Sequence, residues 1–182
     1  MAQNSTIFKV FLQIADMDRH YYADHNLTLA RHPSETDERM MMRLLGFVLN
    51  ADERLEFTRG LCVEDEPDLW KKSYSDEIEL WVDVGLPSEK QIKRAASRAQ
   101  QAQIIAYGSD QAFDPWWKGV KAVVTKQSNV QLLRVSPEQS EALADLAQRG
   151  TQLSVNIQDG QLWFSSESGE VTIELEKVFP AQ

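Results

Sequence analysis

Three carboxylates are the side chains in this sequence whose types and spacing best suit chemistry. Asp68 and Asp83 stand at the two ends of a predicted β-hairpin, and Glu38 lies on a predicted helix, one turn before the apolar Met42. Two carboxylates held close together repel each other unless a metal or a proton neutralises them. Oxygen ligands of this kind favour Mg²⁺ or Mn²⁺. The pattern therefore predicts a metal site with Glu38, Asp68 and Asp83 as ligands.

The register of this hairpin decides whether the two aspartates meet. A two-residue turn at residues 75–76 pairs Lys72 with Glu79 and Trp70 with Trp81, and it places the aspartates opposite each other on one face. A longer turn weakens this argument. In the alternative interpretation, the aspartates only end the strands and remain solvated.

Further residues suit the recognition of nucleic acid. Arg31 and His32 precede a predicted helix, and the N-terminus of a helix favours anions, so both could contact phosphate. A histidine near a helix start also commonly forms local hydrogen bonds. Trp116 and Trp117 could stack on bases, although their helical spacing among apolar residues is more typical of a core.

The composition limits the choice of partners. The chain has 182 residues and a net charge of −9, so any nucleic-acid surface must be a local basic patch, and tight duplex binding is disfavoured. Its single cysteine, Cys62, excludes an intrachain disulfide, and no apolar run reaches the roughly 18–20 residues that span a bilayer. We expect a single domain over residues 1–182, a cytoplasmic location and no membrane contact.

The predicted elements alternate between strands and helices. Helices are expected from Ser34, as N-cap, to about residue 49, and at residues 89–99, 110–122 and 136–149. Strands are expected at residues 6–15, 27–30, 55–63, 69–74, 78–84, 104–107, 130–135, 152–157, 162–165 and 171–175. The strand–helix–strand order predicts that residues 78–84 and 104–107 are parallel neighbours in a mixed sheet.

The carboxylate motif resembles that of a known superfamily. Pro67-Asp68, followed by a hairpin and Asp83, is similar to the PD-(D/E)xK nuclease signature. Residues 29–36, 51–55, 57–62, 64–67 and 85–87, with the sequences LARHPSET, ADERL, FTRGLC, EDEP and GLP, resemble the YaeQ family of bacterial proteins. This resemblance runs along almost the whole chain. It implies an α/β fold, with a mixed sheet flanked by helices in a restriction-endonuclease-like core and an additional antiparallel β-meander.

The sequence departs from the nuclease pattern at one position. The pattern has a lysine two residues after the second acid, where this chain has Gly85. Lys93, at the edge of the apolar face of the next helix, is the best substitute and would stabilise the charge that develops during cleavage. It could equally be a solvated helix lysine.

Two functions remain after these arguments. The first is a metal-dependent phosphodiesterase or nuclease that acts on nucleic acid. The second is a non-catalytic interaction module, with a protein partner, on a degenerate nuclease scaffold. The sequence leaves the choice of DNA or RNA, the pathway and the oligomeric state open.

Overall fold

The computed structural model describes residues 4–59 and 63–180, in two compact units. The first unit combines Met1–Leu44 with Glu138–Leu175, and the second combines Leu45–Pro137 with Glu176–Gln182. Residues 60–62, which include Cys62 and part of the extended stretch predicted at 55–63, lie outside the described residues. Each unit is therefore assembled from two separate stretches of the chain.

The first unit contains a five-stranded mixed sheet in the order β10-β9-β8-β1-β2. Its strands are β1 (Thr6–Asp16), β2 (Tyr21–Arg31), β8 (Gly150–Gln158), β9 (Gln161–Ser166) and β10 (Gly169–Glu174). Alternate residues of β1 are buried, as the period of two in its sequence requires. The antiparallel meander predicted at the end of the chain is confirmed as β8–β9–β10, and β8 also pairs in parallel with β1.

Strand β2 is much longer than its prediction at residues 27–30. All eleven of its residues pair with β1 in a continuous register, from Asp16–Tyr21 to Thr6–Arg31. The sequence concealed this strand because β2 lies at the sheet edge and Leu29 is its one buried residue. The residues before Leu29 on the same face are only half-buried, so the full length of β2 depends on its pairing with β1.

A carboxylate fastens the turn between β8 and β9. Asp18 accepts hydrogen bonds from the backbone amides of Asp159 and Gly160, at 2.8 and 2.9 Å. The bond from Gly160, and after it that from Asp159, holds the pKa of Asp18 below its ordinary value. The predicted Asp159-Gly160 turn is confirmed, and both of its residues have positive φ, as a tight hairpin turn requires.

The second unit contains a six-stranded mixed sheet in the order β11-β7-β6-β5-β4-β3. Its strands are β3 (Leu55–Phe57), β4 (Leu69–Lys72), β5 (Ile78–Val84), β6 (Ala99–Ala106), β7 (Val130–Arg134) and β11 (Glu176–Phe179). Strands β5 and β6 are parallel neighbours, so this prediction is confirmed. Strand β11 was not predicted; it pairs with β7 directly after the chain leaves β10.

Four helices occur among the described residues: α1 (Asp37–Asn50), α2 (Glu89–Arg98), α3 (Asp110–Thr125) and α4 (Pro137–Ala144). The predicted capping box of α2, with Ser88 and Gln91, is confirmed. The predicted N-cap of α1 was wrong: the Thr36 hydroxyl, not Ser34, accepts the Arg39 amide at 3.1 Å. No helix in the described part of the chain is both long and apolar enough to cross a membrane.

The tryptophans of α3 belong to the core of the second unit. Trp116 and Trp117 are half-buried and pack against a cluster that includes Phe113, Trp81 and Ile92. The Trp116 indole also donates a 2.7 Å hydrogen bond to the carbonyl of Pro87. These contacts confirm the core interpretation of both rings.

Candidate functional site

The turn of the β4–β5 hairpin has three residues, not the two that the sequence predicted. The amide of Ser73 donates to the carbonyl of Glu77 at 2.8 Å, and the amide of Asp76 donates to the carbonyl of Ser73 at 3.0 Å. Asp76 adopts a φ of 68°, a conformation that aspartate tolerates better than most residues. As a result, Lys72 pairs with Ile78 and the predicted pairing with Glu79 was wrong.

A β-bulge at Glu79 restores the predicted register beyond the turn. Lys71 pairs with Leu80 and Trp70 pairs with Trp81, and the two indole rings meet edge to face at 6.4 Å. The carboxylate of the bulged Glu79 is held by Arg54, at 3.1 Å, and by Lys71, at 3.8 Å. The hydrogen bond that Arg54 donates to the Glu79 carboxylate raises the pKa of Arg54 above its ordinary value. The bulge is thus fixed by ion pairs, and the Trp70–Trp81 prediction is confirmed.

Asp68 is one of the few buried charged residues, with 4% of its surface exposed. Its Oδ2 accepts a hydrogen bond from the backbone amide of Val84 at 2.8 Å. Its own amide donates to Val82, at 3.0 Å, and its carbonyl accepts the amide of Thr58, at 3.1 Å. The carboxylate is therefore fixed by main-chain contacts to β5 and to the residue that follows β3.

Asp83 lies on β5, beside the position of Asp68. The last registered pair of the hairpin, Leu69 with Val82, leaves these two aspartates as the next neighbours on adjacent strands. Asp83 is half-buried, and its Oδ2 accepts a 2.9 Å hydrogen bond from the indole of Trp81, two residues earlier on the same face. Two oriented carboxylates thus lie at the open end of one hairpin.

This pair of oxygen ligands fits a divalent cation in type, since carboxylates suit Mg²⁺ and Mn²⁺. Within residues 4–59 and 63–180, no group of three or more histidine, cysteine, aspartate or glutamate side chains is arranged to hold a metal ion. The three-carboxylate site therefore stays a prediction from the sequence.

The predicted lysine lies on the exposed face of α2. Lys93 has 59% of its side chain exposed and donates to Glu89, one turn earlier, at 2.9 Å. The buried residues of this helix are Ile92 and Ala95. In this arrangement Lys93 forms an ion pair within its own helix, and its role in charge stabilisation stays a prediction.

Glu38, the third predicted ligand, belongs to the first unit. Its side chain is half-buried in the first turn of α1. Burial raises the pKa of Glu38 above its ordinary value of 4.5, and the nearby negative charge of Glu141 adds to the rise. The carboxyl group of Glu38 thus pays an electrostatic cost when it ionises. Its participation in a metal site stays a prediction.

The two predicted phosphate contacts are engaged locally. Arg31 forms an ion pair with Asp37 and lies 5.1 Å from the centre of the Phe8 ring. The Nδ1 atom of His32 accepts the amide of Ser34 at 3.1 Å and lies 2.6 Å from its hydroxyl. Both residues stabilise the loop before α1, and contact with phosphate stays a prediction for each.

A buried cluster of charges at the same loop was not predicted from the sequence. Glu35 binds Arg43 through two bonds, of 2.6 and 3.0 Å, and Arg39 through a third, of 2.7 Å. Arg43 also donates to the carbonyl of Ala30 at 3.0 Å. A signal was present, because Arg43 interrupts an apolar stretch of α1, where a buried cation requires a partner.

These observations define a mixed α/β protein with two mixed sheets and a carboxylate pair on an antiparallel hairpin. A profile of the family described as "YaeQ protein" matches residues 1–175. The chain belongs to the YaeQ family.

Relatives and solved structures agree with this assignment over nearly the full length. The YaeQ proteins of Escherichia coli (strain K12) and Salmonella typhi are 41% and 42% identical over 175 residues, which cover 96% of this chain and 96% of each relative. The crystal structure of YaeQ protein from Xanthomonas axonopodis pv. citri has a TM-score of 0.92 and 46% identity, covering 98% of this chain and 99% of that one. The YaeQ structure from Pseudomonas syringae has a TM-score of 0.91 and 34% identity, covering 97% of both chains.

Proposed function

We propose that this protein is a metal-dependent phosphodiesterase acting on nucleic acid, with Asp68 and Asp83 as ligands of the cation. The observation that carries the proposal is the buried carboxylate of Asp68, fixed by the amide of Val84 and adjacent on the hairpin to Asp83. A carboxylate held in one orientation by the main chain is preorganised for a cation, and carboxylate oxygens are ligands that Mg²⁺ and Mn²⁺ favour.

The order of elements around the hairpin supports the same proposal. Strands β3, β4 and β5 are successive antiparallel neighbours, and α2 then connects β5 to its parallel neighbour β6. This order is the one expected of the restriction-endonuclease-like core that the sequence resemblance implies. Fold alone does not determine activity, so the proposed function depends on the carboxylates of Asp68 and Asp83.

In the proposed site, neighbouring groups of the protein would orient the two carboxylates for the cation. The Val84 amide and the Trp81 indole each fix one oxygen of an aspartate, so little rearrangement is needed to bind a cation there. Mg²⁺ or Mn²⁺ at this place would polarise the phosphodiester and activate the attacking water. Lys93, released from Glu89, would stabilise the developing negative charge.

A specific observation favours a second candidate, a non-catalytic interaction module that binds a protein partner. Gly85 occupies the position of the expected lysine, and the substitute Lys93 is exposed and paired with Glu89. Without a cationic side chain near the reacting group, the protein would keep the nuclease-like scaffold and lose the reaction.

Calorimetric titration with Mn²⁺ tests the proposed metal site. We expect wild-type protein to bind the ion, and Asp83→Asn to weaken binding at least about tenfold, because it removes one ligand charge. Asp76→Asn is the matched control: it removes the same charge from the exposed turn of the same hairpin, and asparagine accepts the positive φ of this position. It should leave the affinity unchanged.

Cleavage of single- and double-stranded DNA and RNA is measured on the same proteins. The nuclease proposal predicts Mg²⁺- or Mn²⁺-dependent cleavage that is lost in Asp83→Asn and slowed, with intact metal affinity, in Lys93→Ala. Metal binding without cleavage of any substrate would favour the interaction module. Absence of metal binding by the wild type would overturn the proposed site.

A further inference from the structure

One face of the five-stranded sheet of the first unit is open to solvent. On the opposite face, alternate residues of β1 such as Phe8, Val10 and Leu12 are buried. The residues between them, Lys9, Phe11 and Gln13, therefore point to the other side, because side chains alternate along a strand. We call this second side the open face; it includes the residues of β2 and β8 that are paired with these three.

A cleft of about 640 Å³ lies along part of the open face. Two rows of residues on neighbouring strands cross it. The first row is Asn26, Phe11 and Gln152, and the second is Thr28, Lys9 and Gly150. A cleft of this size accommodates a small organic ligand.

The ring of Phe11 is the one aromatic group among the residues that line this cleft. It is half-buried, whereas Asn26 and Gln152 on either side of it are exposed. Neighbouring strands lie about 4.8 Å apart, so the two carboxamides flank the ring at a distance that suits the edges of a planar molecule lying on it. An aromatic ring with hydrogen-bonding amides at its sides is the arrangement that binds an unpaired nucleobase on a sheet.

The polar groups of the cleft are available for a ligand. Neither carboxamide, of Asn26 or of Gln152, has a side-chain hydrogen bond to another residue in the part of the chain that the structure describes. Lys9 likewise has no ion-pair partner within residues 4–59 and 63–180. A carboxamide both donates and accepts, so a pair of them can match the mixed donors and acceptors of a base edge.

The charges of the cleft limit the size of the ligand. Lys9 and Glu167 are its two charged lining residues, so the cleft is close to neutral while the chain carries a net charge of −9. One ammonium group can neutralise one phosphate, but a long polyanion would meet the acidic surface beyond it. The carboxylate of Glu167 can accept hydrogen bonds from sugar hydroxyls.

From this combination we infer that the cleft on the open face binds a single nucleotide, with the base on Phe11, its edges at Asn26 and Gln152, and its phosphate at Lys9. This site goes beyond the proposed nuclease function and does not depend on it, because the first unit alone supplies it and no metal is required.

Calorimetric titrations with AMP, GMP, CMP and UMP at low salt, with EDTA present, test the inference. At least one nucleotide should bind saturably. Phe11→Leu, which keeps the apolar volume but removes the aromatic surface, should weaken binding by about 5-fold or more, and Phe11→Tyr should retain it. Lys9→Gln should weaken binding of the nucleotide, more at low salt than at high salt, and leave the affinity for the corresponding nucleoside unchanged.

Gly150 gives a second and independent variant. A Cβ atom at Gly150 would meet no atom within 4 Å, so the side chain of Gly150→Val has open space and would extend into the cleft that Gly150 lines. We expect this variant to lose nucleotide binding with an unchanged melting temperature. Ser154→Val is the matched control, since it adds a similar side chain on the same strand and face but outside the cleft.

Two outcomes would overturn the inference. One is the absence of saturable binding of all four nucleotides at millimolar concentration. The other is equally tight binding of ribose 5-phosphate, because the ring and the carboxamides would then contribute nothing. Since metal is chelated throughout, neither outcome bears on Asp68 and Asp83, and the two proposals fail separately.

Discussion

The carboxylates of two glutamates three residues apart have opposite electrostatic surroundings. Glu35 lies in the loop before α1, and Glu38 lies in the first turn of that helix. Glu35 is 7% exposed and is bonded to two guanidinium groups, from Arg39 and Arg43. Glu38 is half-buried, and burial raises its pKa, with the negative charge of Glu141 adding to the rise. Cations stabilise the negative charge of Glu35, whereas the surroundings of Glu38 destabilise its ionised form.

This difference indicates that Glu35 has a structural role, whereas Glu38 would be stabilised by binding a proton or a cation. A buried carboxylate with excellent geometry to its cations holds its elements together, and losing either partner leaves an uncompensated charge. A carboxylate whose ionisation is opposed by burial instead lowers its cost by taking up a proton or a cation. Mutations at the two positions should therefore change stability in opposite directions.

The largest effect is expected from Glu35→Ala. This change leaves Arg43 buried without its carboxylate, and it should lower the free energy of unfolding by about 3–5 kcal/mol. Urea denaturation measures the loss. Replacing both buried partners with apolar residues, in Glu35→Leu with Arg43→Met, should recover most of it, because the buried charge of Arg43 is then removed together with its carboxylate. A loss below about 1 kcal/mol in Glu35→Ala would show that the cluster of Glu35, Arg39 and Arg43 does not stabilise the loop before α1.

A smaller effect should distinguish the two arginines. Arg39 is 19% exposed and donates to Glu35 at 2.7 Å, whereas Arg43 is 5% exposed and donates to both carboxylate oxygens of Glu35. Arg39→Gln should cost about 1 kcal/mol or less, and Arg43→Gln, which removes the same charge, should cost several times more. The comparison uses denaturation midpoints under identical conditions. Equal losses would mean that charge alone, and not burial, determines the contribution.

The smallest effect, of opposite sign, is expected at Glu38. Because its pKa is raised in the folded protein, its favourable contribution is present below its ordinary pKa of 4.5 and is lost as pH rises through the folded value. At pH 7, Glu38→Gln should therefore increase the free energy of unfolding, by at most about 1 kcal/mol. The gain should vanish near pH 4. Thermal unfolding between about pH 4 and 8 follows it, with Glu141→Gln as a weaker change in the same direction.

Local patterns in the sequence predicted most of the elements. The elements that were not predicted in full depend on contacts between residues distant in the sequence. Strand β5, the helix α2 with its capping box, and the parallel pairing of β5 with β6 were all predicted, because each follows from alternation or from capping within a few residues. Strand β11 and the full length of β2 depend on pairing partners. No local pattern encodes such pairing.

In the β4–β5 hairpin, the pairing of Trp70 with Trp81 was predicted correctly although both the turn length and the bulge were missed. The turn is one residue longer than predicted, and the bulge at Glu79 compensates for that residue, so Trp70 still faces Trp81. The bulge depends on Arg54, which lies 25 positions earlier in the chain and holds the Glu79 carboxylate. In the same way, the aspartates could be singled out by type and spacing, but the amide of Val84 that fixes Asp68 could not.

The discontinuous first unit has a consequence for the order of folding during synthesis. Strand β1 must pair in parallel with β8, which follows it by more than a hundred residues, and Asp18 must reach the turn at Gly160. The ribosome therefore releases β3 to β7, with the aspartate hairpin, well before the first sheet can close. Contacts of such long sequence separation are slow to form. The nascent chain should thus carry an exposed β1–β2 ribbon, with its apolar face uncovered, until β8 emerges, and this ribbon is where chaperones would be expected to bind.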